Sequence, residues 1–290
     1  GFSGAVSVTG PNAKAAIGVS IGGSGAGAGD GKTVTVTSVD NILTAGDGSN
    51  GILAQSVGGG GGSGGFSFAA AINGTLGKSQ GTKGAVSVSL GGDGGSAGNA
   101  EKVTVDSTGI IQTGGDKAYG VLAQSVGGGG GTGGLSVSAS LSLGENGNQI
   151  TASVGGKGGG GGTGGEVQVT RHGSTITTGD QSVGIFAQSV GGGGGNGGMA
   201  ISGVIAGTDS KSLAASVGGF GGDGTNSSKV TVDNTGAIST YGLESHAIQA
   251  QSIGGGGGNG GMAVSAVIGS LGTGTNFNAG LTVGGFGGDG

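Results

Sequence analysis

Along residues 103–123 apolar side chains fall at alternate positions within short runs, at Val103, Val105, Ile111, Val121 and Ala123, with Gly109, Gly114, Gly115 and Gly120 between them. Period-two alternation broken by glycine predicts three short strands joined by tight corners. The same block stands at 34–54, 167–187 and 230–250 without insertion or deletion. Constant length implies a geometric constraint, and a strand, corner, strand, corner, strand block of this size suits one coil of a parallel β-helix. A second part absorbs the variation in length between blocks. It opens with an alternating run such as 135–143, passes a variable turn (144–149 or 207–212) and closes with Ala-Ser-Val-Gly-Gly at 152–156. These lengths suggest two to three coils per unit, with insertions bulging from one face.

Each block runs into the string Ala-Gln-Ser-Val (Ile253 in the last copy) followed by a glycine tract, at 54–65, 123–134, 187–198 and 250–261. The copies are 69, 64 and 63 residues apart, and one tract position varies, as Ser63, Thr132, Asn196 and Asn259. Such a period predicts one continuous array over 1–290, about four and a half units of 63–69 residues (1–65, 66–134, 135–198, 199–261 and 262–290). Gly1-Phe2-Ser3 matches Gly65-Phe66-Ser67, and 281–290 matches 215–224, so the chain starts and stops in phase with its own repeat. With no polar cap at either end, the residues are expected to be a window on a longer protein.

Composition changes the picture in one respect. Glycine fills 86 of 290 positions, and ordering it costs roughly 0.5–1 kcal/mol more than ordering alanine. So much glycine calls either for disorder or for a backbone geometry that only glycine fits. A single proline and no Gly-X-Y period exclude collagen, while strand-like runs of Val, Ile and Thr argue against a wholly disordered chain. The expected fold is all-β: an elongated β-solenoid, parallel β-helix-like, in which small side chains let neighbouring walls approach closely. The tracts are then either floppy surface loops or polyproline II-like (polyglycine) segments stacked on the matching tract of the next unit.

A net charge of −5 and the lack of any basic run remove an electrostatic footprint for nucleic acid. No cysteine is present, so disulfides, thiolate metal sites and thiol nucleophiles are excluded.

The combination Val-Thr-Val-Asp-x-Thr-Gly-x-Ile-x-Thr (103–113 and 230–240), then Gly-x-x-Ala-Gln-Ser, then the glycine tract, resembles the repeats of autotransporter passenger regions from Gram-negative bacteria. The resemblance spans essentially the whole chain. It implies an extracellular or cell-surface location, with a signal peptide before the passenger and a membrane β-barrel after it, so any membrane contact would run through parts outside these residues. The third unit departs from the pattern at 169–176, which is expected to shift one strand by a residue.

Candidate chemistry is sparse. His172 aligns with Val39, Thr108 and Thr235, and His246 with Asn50, Tyr119 and Val183, so both read as exposed positions that accept anything. Asp47, Asp116 and Asp180 share a register that the fourth unit fills with Leu243; a corner aspartate bonding to its own backbone explains it. The many G-x-G-x-x-G matches lack the strand–helix context of a dinucleotide site. Gly-Gly-Phe-Gly-Gly-Asp-Gly at 218–224 and 284–290 resembles the start of a calcium-binding nonapeptide and makes Asp223 and Asp289 the metal candidates, though the nine-residue period is missing. Phe66, Leu135, Met199 and Met262 follow the tract at one register and read as a buried plug.

No catalytic or cofactor-binding residue is assigned, and the chain is not read as an enzyme. The functional expectation is a structural or adhesive surface protein, a rigid stalk or filament offering a repetitive polar wall to an unknown surface, glycan or cell receptor, or to copies of itself. The alternatives are an ice- or surface-binding solenoid, prompted by Thr33, Thr35, Thr37, Thr104 and Thr231 and interrupted by Gln168 and Asp106, and a stalk whose enzyme lies elsewhere.

Overall fold

A computed structural model describes residues 1–10, 14–74, 83–142, 146–269 and 275–290. Its strands form five sheets, and every strand pairs in parallel with its equivalents in the units before and after. The first sheet stacks Phe2–Thr9, Phe66–Asn73, Ser136–Ser142, Ala200–Ile205 and Ala263–Ile268. The second stacks Ala15–Ile21, Lys83–Leu90, Gly147–Val154, Lys211–Val217 and Phe277–Val283. Val34–Ser38, Val103–Ser107, Val167–Arg171 and Val230–Asn234 form the third; Ile42–Thr44, Ile111–Thr113, Thr175–Thr177 and Ile238–Thr240 the fourth; Ile52–Val57, Val121–Val126, Ile185–Val190 and Ile248–Ile253 the fifth.

Because each strand meets its partner one whole unit away, a unit is a single coil of the solenoid. The expected two to three coils per unit are therefore wrong: the rigid block supplies only part of the circuit. From the first sheet the chain turns into the second, runs along a companion glycine tract (22–31 in the first unit), makes the three short strands, and returns along the signature tract (58–65). Parallel strands sit about 4.8 Å apart, so a unit advances the axis by only that much and five units rise roughly 24 Å.

The coil has three zones. The lobe made by the third, fourth and fifth sheets encloses an apolar core of Val103, Val105, Ile111, Val121 and Ala123 with their equivalents above and below. The inward-facing residues are those marked by the alternation. A threonine ending each short strand locks the following corner: Thr113 Oγ1 donates to the Ala118 carbonyl, and Thr177 Oγ1 to that of Ser182, both at 2.7 Å. In the third unit the expected one-residue shift does not occur. Thr175 pairs with Ile111 below and Ile238 above, in unbroken register, and Arg171 takes the place of Ser107.

The middle zone has a core without side chains. In the companion tract the N–H groups of Gly22, Gly25, Ala28 and Gly31 donate to the same tract one unit on, at Leu90, Asp93, Ser96 and Asn99 (2.7–3.0 Å). In the signature tract Gly59, Gly62 and Gly65 donate sideways to Gly29, Ala26 and Gly23 of their own unit, while Gly92, Gly95 and Gly98 donate back to Gly65, Gly62 and Gly59. Bonds in each direction recur every third residue, the period of the polyproline II conformation. The tracts are thus ordered layers whose packed carbonyls satisfy two of every three N–H groups. Close approach explains the glycine: a Cβ on Gly131 would overlap the Gly62 carbonyl oxygen, and one on Gly195 that of Gly131.

Beyond the tracts, the first and second sheets lie face to face as a blade. The alternation expected here is present: mostly serine and alanine point in and larger apolar residues point out, Val204 being buried on the inner side. Ser67, Ser136, Ser138, Ser140 and Ser202 are buried on the inner face of the first sheet. Hydroxyls of Ser138 and Ser202 tie the sheets together, donating to Ala152 O (2.7 Å) and Ala215 O (2.6 Å), and from the second sheet Ser87 Oγ donates to Ala69 O (2.8 Å), whereas Ser67 Oγ and Ser136 Oγ are buried without a partner among the described residues. Small inner side chains permit the approach, and a Cβ on Gly18 would come within 2.6 Å of the Ala70 oxygen.

Candidate functional surface

Three letters of the signature string have a local explanation. Ala123 is fully buried in the lobe core. Gln124 points outward and belongs to a side-chain ladder, Gln55 to Gln124 to Gln188 to Gln251, at 2.6, 3.1 and 2.8 Å. Ser125 clamps the exit of the companion tract: its Oγ accepts from Gly165 N (2.8 Å) and donates to Glu101 O (2.8 Å).

Outward positions of the glycine layers follow the three-residue phase and carry most of the non-glycine residues. A Cβ on Gly129 would meet nothing nearer than the Gly193 oxygen at 4.0 Å, and the variable position Ser63, Thr132, Asn196 and Asn259 sits one turn further on. An outward N–H has no neighbouring tract to bond, so Asp or Asn of the preceding unit accepts it. Asn99 N donates to Asp30 Oδ1 (2.7 Å), Lys157 N to Asp93 Oδ1 (2.8 Å) and Asn259 N to Asn196 Oδ1 (3.0 Å). The calcium candidates belong to this set: Asp223 and Asp289 stack in one exposed column, and Asp223 Oδ1 accepts Asp289 N at 3.0 Å. Among the described residues no group of three or more His, Cys, Asp or Glu converges.

The corner aspartates work in the same way. Asp47 accepts from Asp116 N (3.0 Å), Asp116 from Asp180 N (2.9 Å) and Asp180 from Leu243 N (2.7 Å). The expected bond to their own backbone is replaced by one to the next unit, and Leu243 serves the column as donor alone.

Other sequence candidates are dispersed. His172 is exposed, with Nδ1 2.9 Å from Thr235 Oγ1, and His246 is exposed at a corner. The threonine ranks do stack, as Thr35, Thr104, Gln168, Thr231 beside Thr37, Asp106, Thr170, Asp233, with the interruptions in place. The buried plug is corrected: Phe66, Leu135 and Met199 are only half-buried and Met262 is exposed, because the residue after each tract faces outward and the next one, such as Ser67 or Ser136, faces in. Phe2 stacks on Phe66 with centroids 5.1 Å apart.

The largest feature that the sequence reading missed is the outer face of the blade. On the first sheet two apolar ridges, Phe68, Val137, Ile201, Val264 and Ile72, Leu141, Ile205, Ile268, flank a valley of Ala70, Ala139, Gly203 and Ala266. The valley is a groove of about 450 Å³. On the second sheet Ile17, Val86, Ile150 and Leu213 form a comparable ridge. Contiguous exposed apolar area of this kind marks interaction surfaces. Chemically the molecule offers columns of similar weak contacts, apolar on the blade and amide or carboxylate on the lobe and glycine layers.

No family model matches the chain, and neither a curated protein nor a solved structure does.

Proposed function

We propose that the chain is a structural and adhesive repeat region displayed on the cell surface or outside the cell, building a rigid stalk or filament through which the cell attaches to surfaces, matrix or other cells. The observation that carries this reading is that one unit equals one coil, so each added unit repeats every surface column at the same lateral position. Many weak equivalent contacts on one rigid body gain avidity without any strong pocket. Backbone groups that bond across the unit boundaries in the three stacked zones support the rigidity this reading needs. The resemblance of its repeats to Gram-negative autotransporter passengers supports an exported location.

Antibodies raised against the 290-residue chain test the reading on intact producing cells. Surface labelling together with blocked attachment is the expected result. Labelling only after cell lysis would overturn it.

A further inference from the structure

We infer that the outer face of the first sheet is a lateral contact between two copies of this chain. The inference rests on the structural reading above and adds the partner to it. Four features select a second copy over other occupants. From the second unit to the fifth the face is ridged along the stacking axis, with Gly203 and Ala139 at the bottom of the valley between the Ile201 and Ile205 columns, whereas in the first unit Gly4 stands in a ridge column and Val6 in the valley column. A second copy has ridges of the same axial spacing, about 4.8 Å per unit, so ridge and valley stay matched over the four units that carry the pattern; a partner of other period drifts out of register. No charged residue stands in the ridge or valley columns, so two such faces meet without a desolvated ion. The area is also suitable. Strands of eight, eight, seven, six and six residues cover roughly 550 Å² per face, giving about 1,100 Å² for a pair, just above the ~1,000 Å² that a specific interface has to clear.

The contact is isologous, the same patch on both copies, and dry, with interdigitated side chains of the kind found between paired sheets. The apolar ridges of the second sheet lie on the opposite side of the blade and remain free in such a pair.

Sedimentation equilibrium of the intact chain is expected to show a concentration-dependent dimer, and a tandem duplication of the array should dimerise at least tenfold more tightly. Gly203→Glu places a charge in the valley, where a Cβ meets nothing within 4 Å, so the fold is preserved and dimerisation falls at least tenfold. Gly129→Glu, on the outward phase of a glycine tract, leaves it unchanged. As an independent readout, Gly203→Cys introduces the only thiol into a chain without cysteine and should be cross-linked between copies by a short bis-maleimide, whereas Gly129→Cys should not. A monomer at roughly 100 µM for both single and duplicated arrays would overturn the inference. So would dimerisation of folded Gly203→Glu at native strength, or binding to phosphatidylcholine vesicles through this face without self-association. Surface labelling that persists while dimerisation fails removes this contact and leaves the adhesive reading standing.

Discussion

Asp223 Oδ1 accepts a hydrogen bond of 3.0 Å from the backbone N–H of Asp289, the residue at its own register one unit further on. The carboxylate thereby completes an outward backbone donor that no glycine tract can reach. Asp223→Asn keeps an acceptor oxygen and is expected to retain stability. Asp223→Ala should cost about 0.5–1 kcal/mol, the usual value of one such bond. Calcium or a chelator should leave the unfolding temperature of either protein unchanged; a calcium-dependent rise that Asp223→Ala abolishes would restore the metal reading.

Two glycines in one tract separate close approach from mere composition. Gly131 lies on an inward phase against the Gly62 oxygen, whereas Gly129 lies outward with open space around it. Gly131→Ala is expected to destabilise by about 1–3 kcal/mol or more through forced separation of the layers. Gly129→Ala should be neutral or stabilising by about 0.4–1 kcal/mol, since it restricts only the unfolded chain. Thermal unfolding together with amide exchange in the tract checks the pair, and equal effects would mean that the tracts are not packed as described.

Much of this was legible in the letters. Alternation in the rigid block located three strands and their inward residues, because Val103, Val105 and Val121 sit in a closed apolar lobe where burial follows hydrophobicity. In the blade the alternation assigned no inner side, and the one burial expectation there, the plug at Phe66, Leu135, Met199 and Met262, failed. Alternation fixes which residues share a face, not which face is inside, and there the interior is set by close sheet approach and serine-to-carbonyl bonds. The coil number was misjudged because the block was read as a closed circuit by itself, whereas the return path runs through the blade and both tracts. One signal was present and unread: in the companion tract Asp93, Ser96 and Asn99 stand three residues apart, the phase that faces solvent.

Arg171 fills a core position that is Ser38, Ser107 or Asn234 in the other units. Its guanidinium is buried with no carboxylate partner among the described residues, donating to the carbonyls of Gly109 (2.6 Å), Ser174 (2.7 Å) and Ser107 (3.2 Å) and to Thr175 Oγ1 (3.2 Å). Burial lowers its affinity for the proton below that of an ordinary arginine, yet the group stays charged. Thr175 stands where the neighbours have Ile111 and Ile238, so the two changes belong together. Arg171→Ser alone should cost about 2–3 kcal/mol by leaving buried polar groups unmet. Adding Thr175→Ile restores the pair used by the second unit, and the double variant should be more stable than the sum of the singles by about 1 kcal/mol. Additive costs would show that the pair is uncoupled.

Glu101 reaches back one unit to accept from Thr33 Oγ1 (2.8 Å), Lys32 Nζ (3.3 Å) and Thr33 N (3.0 Å). These bonds favour the ionised carboxylate, the Thr33 hydroxyl foremost and Lys32 next, and hold its pKa below the ordinary 4.5. A carboxyl whose folded pKa is depressed binds protons more readily in the unfolded chain. Its stabilisation is therefore fully present above the unfolded value and is lost as pH falls through the folded one. Because the site is exposed, salt screens the Lys32 pair and the net effect is small. Glu101→Gln cannot ionise and serves as the reference. The difference in unfolding temperature between wild type and Glu101→Gln is expected to be constant from neutral pH down to the ordinary carboxylate range, then to shrink below it. Thr33→Val removes the hydroxyl donor and raises the folded pKa alone, so the loss should begin at the same pH, be smaller, and be complete at a higher pH than in the wild type. Parallel pH curves for wild type and Glu101→Gln throughout the acid range would mean that the link between these two units contributes nothing to stability.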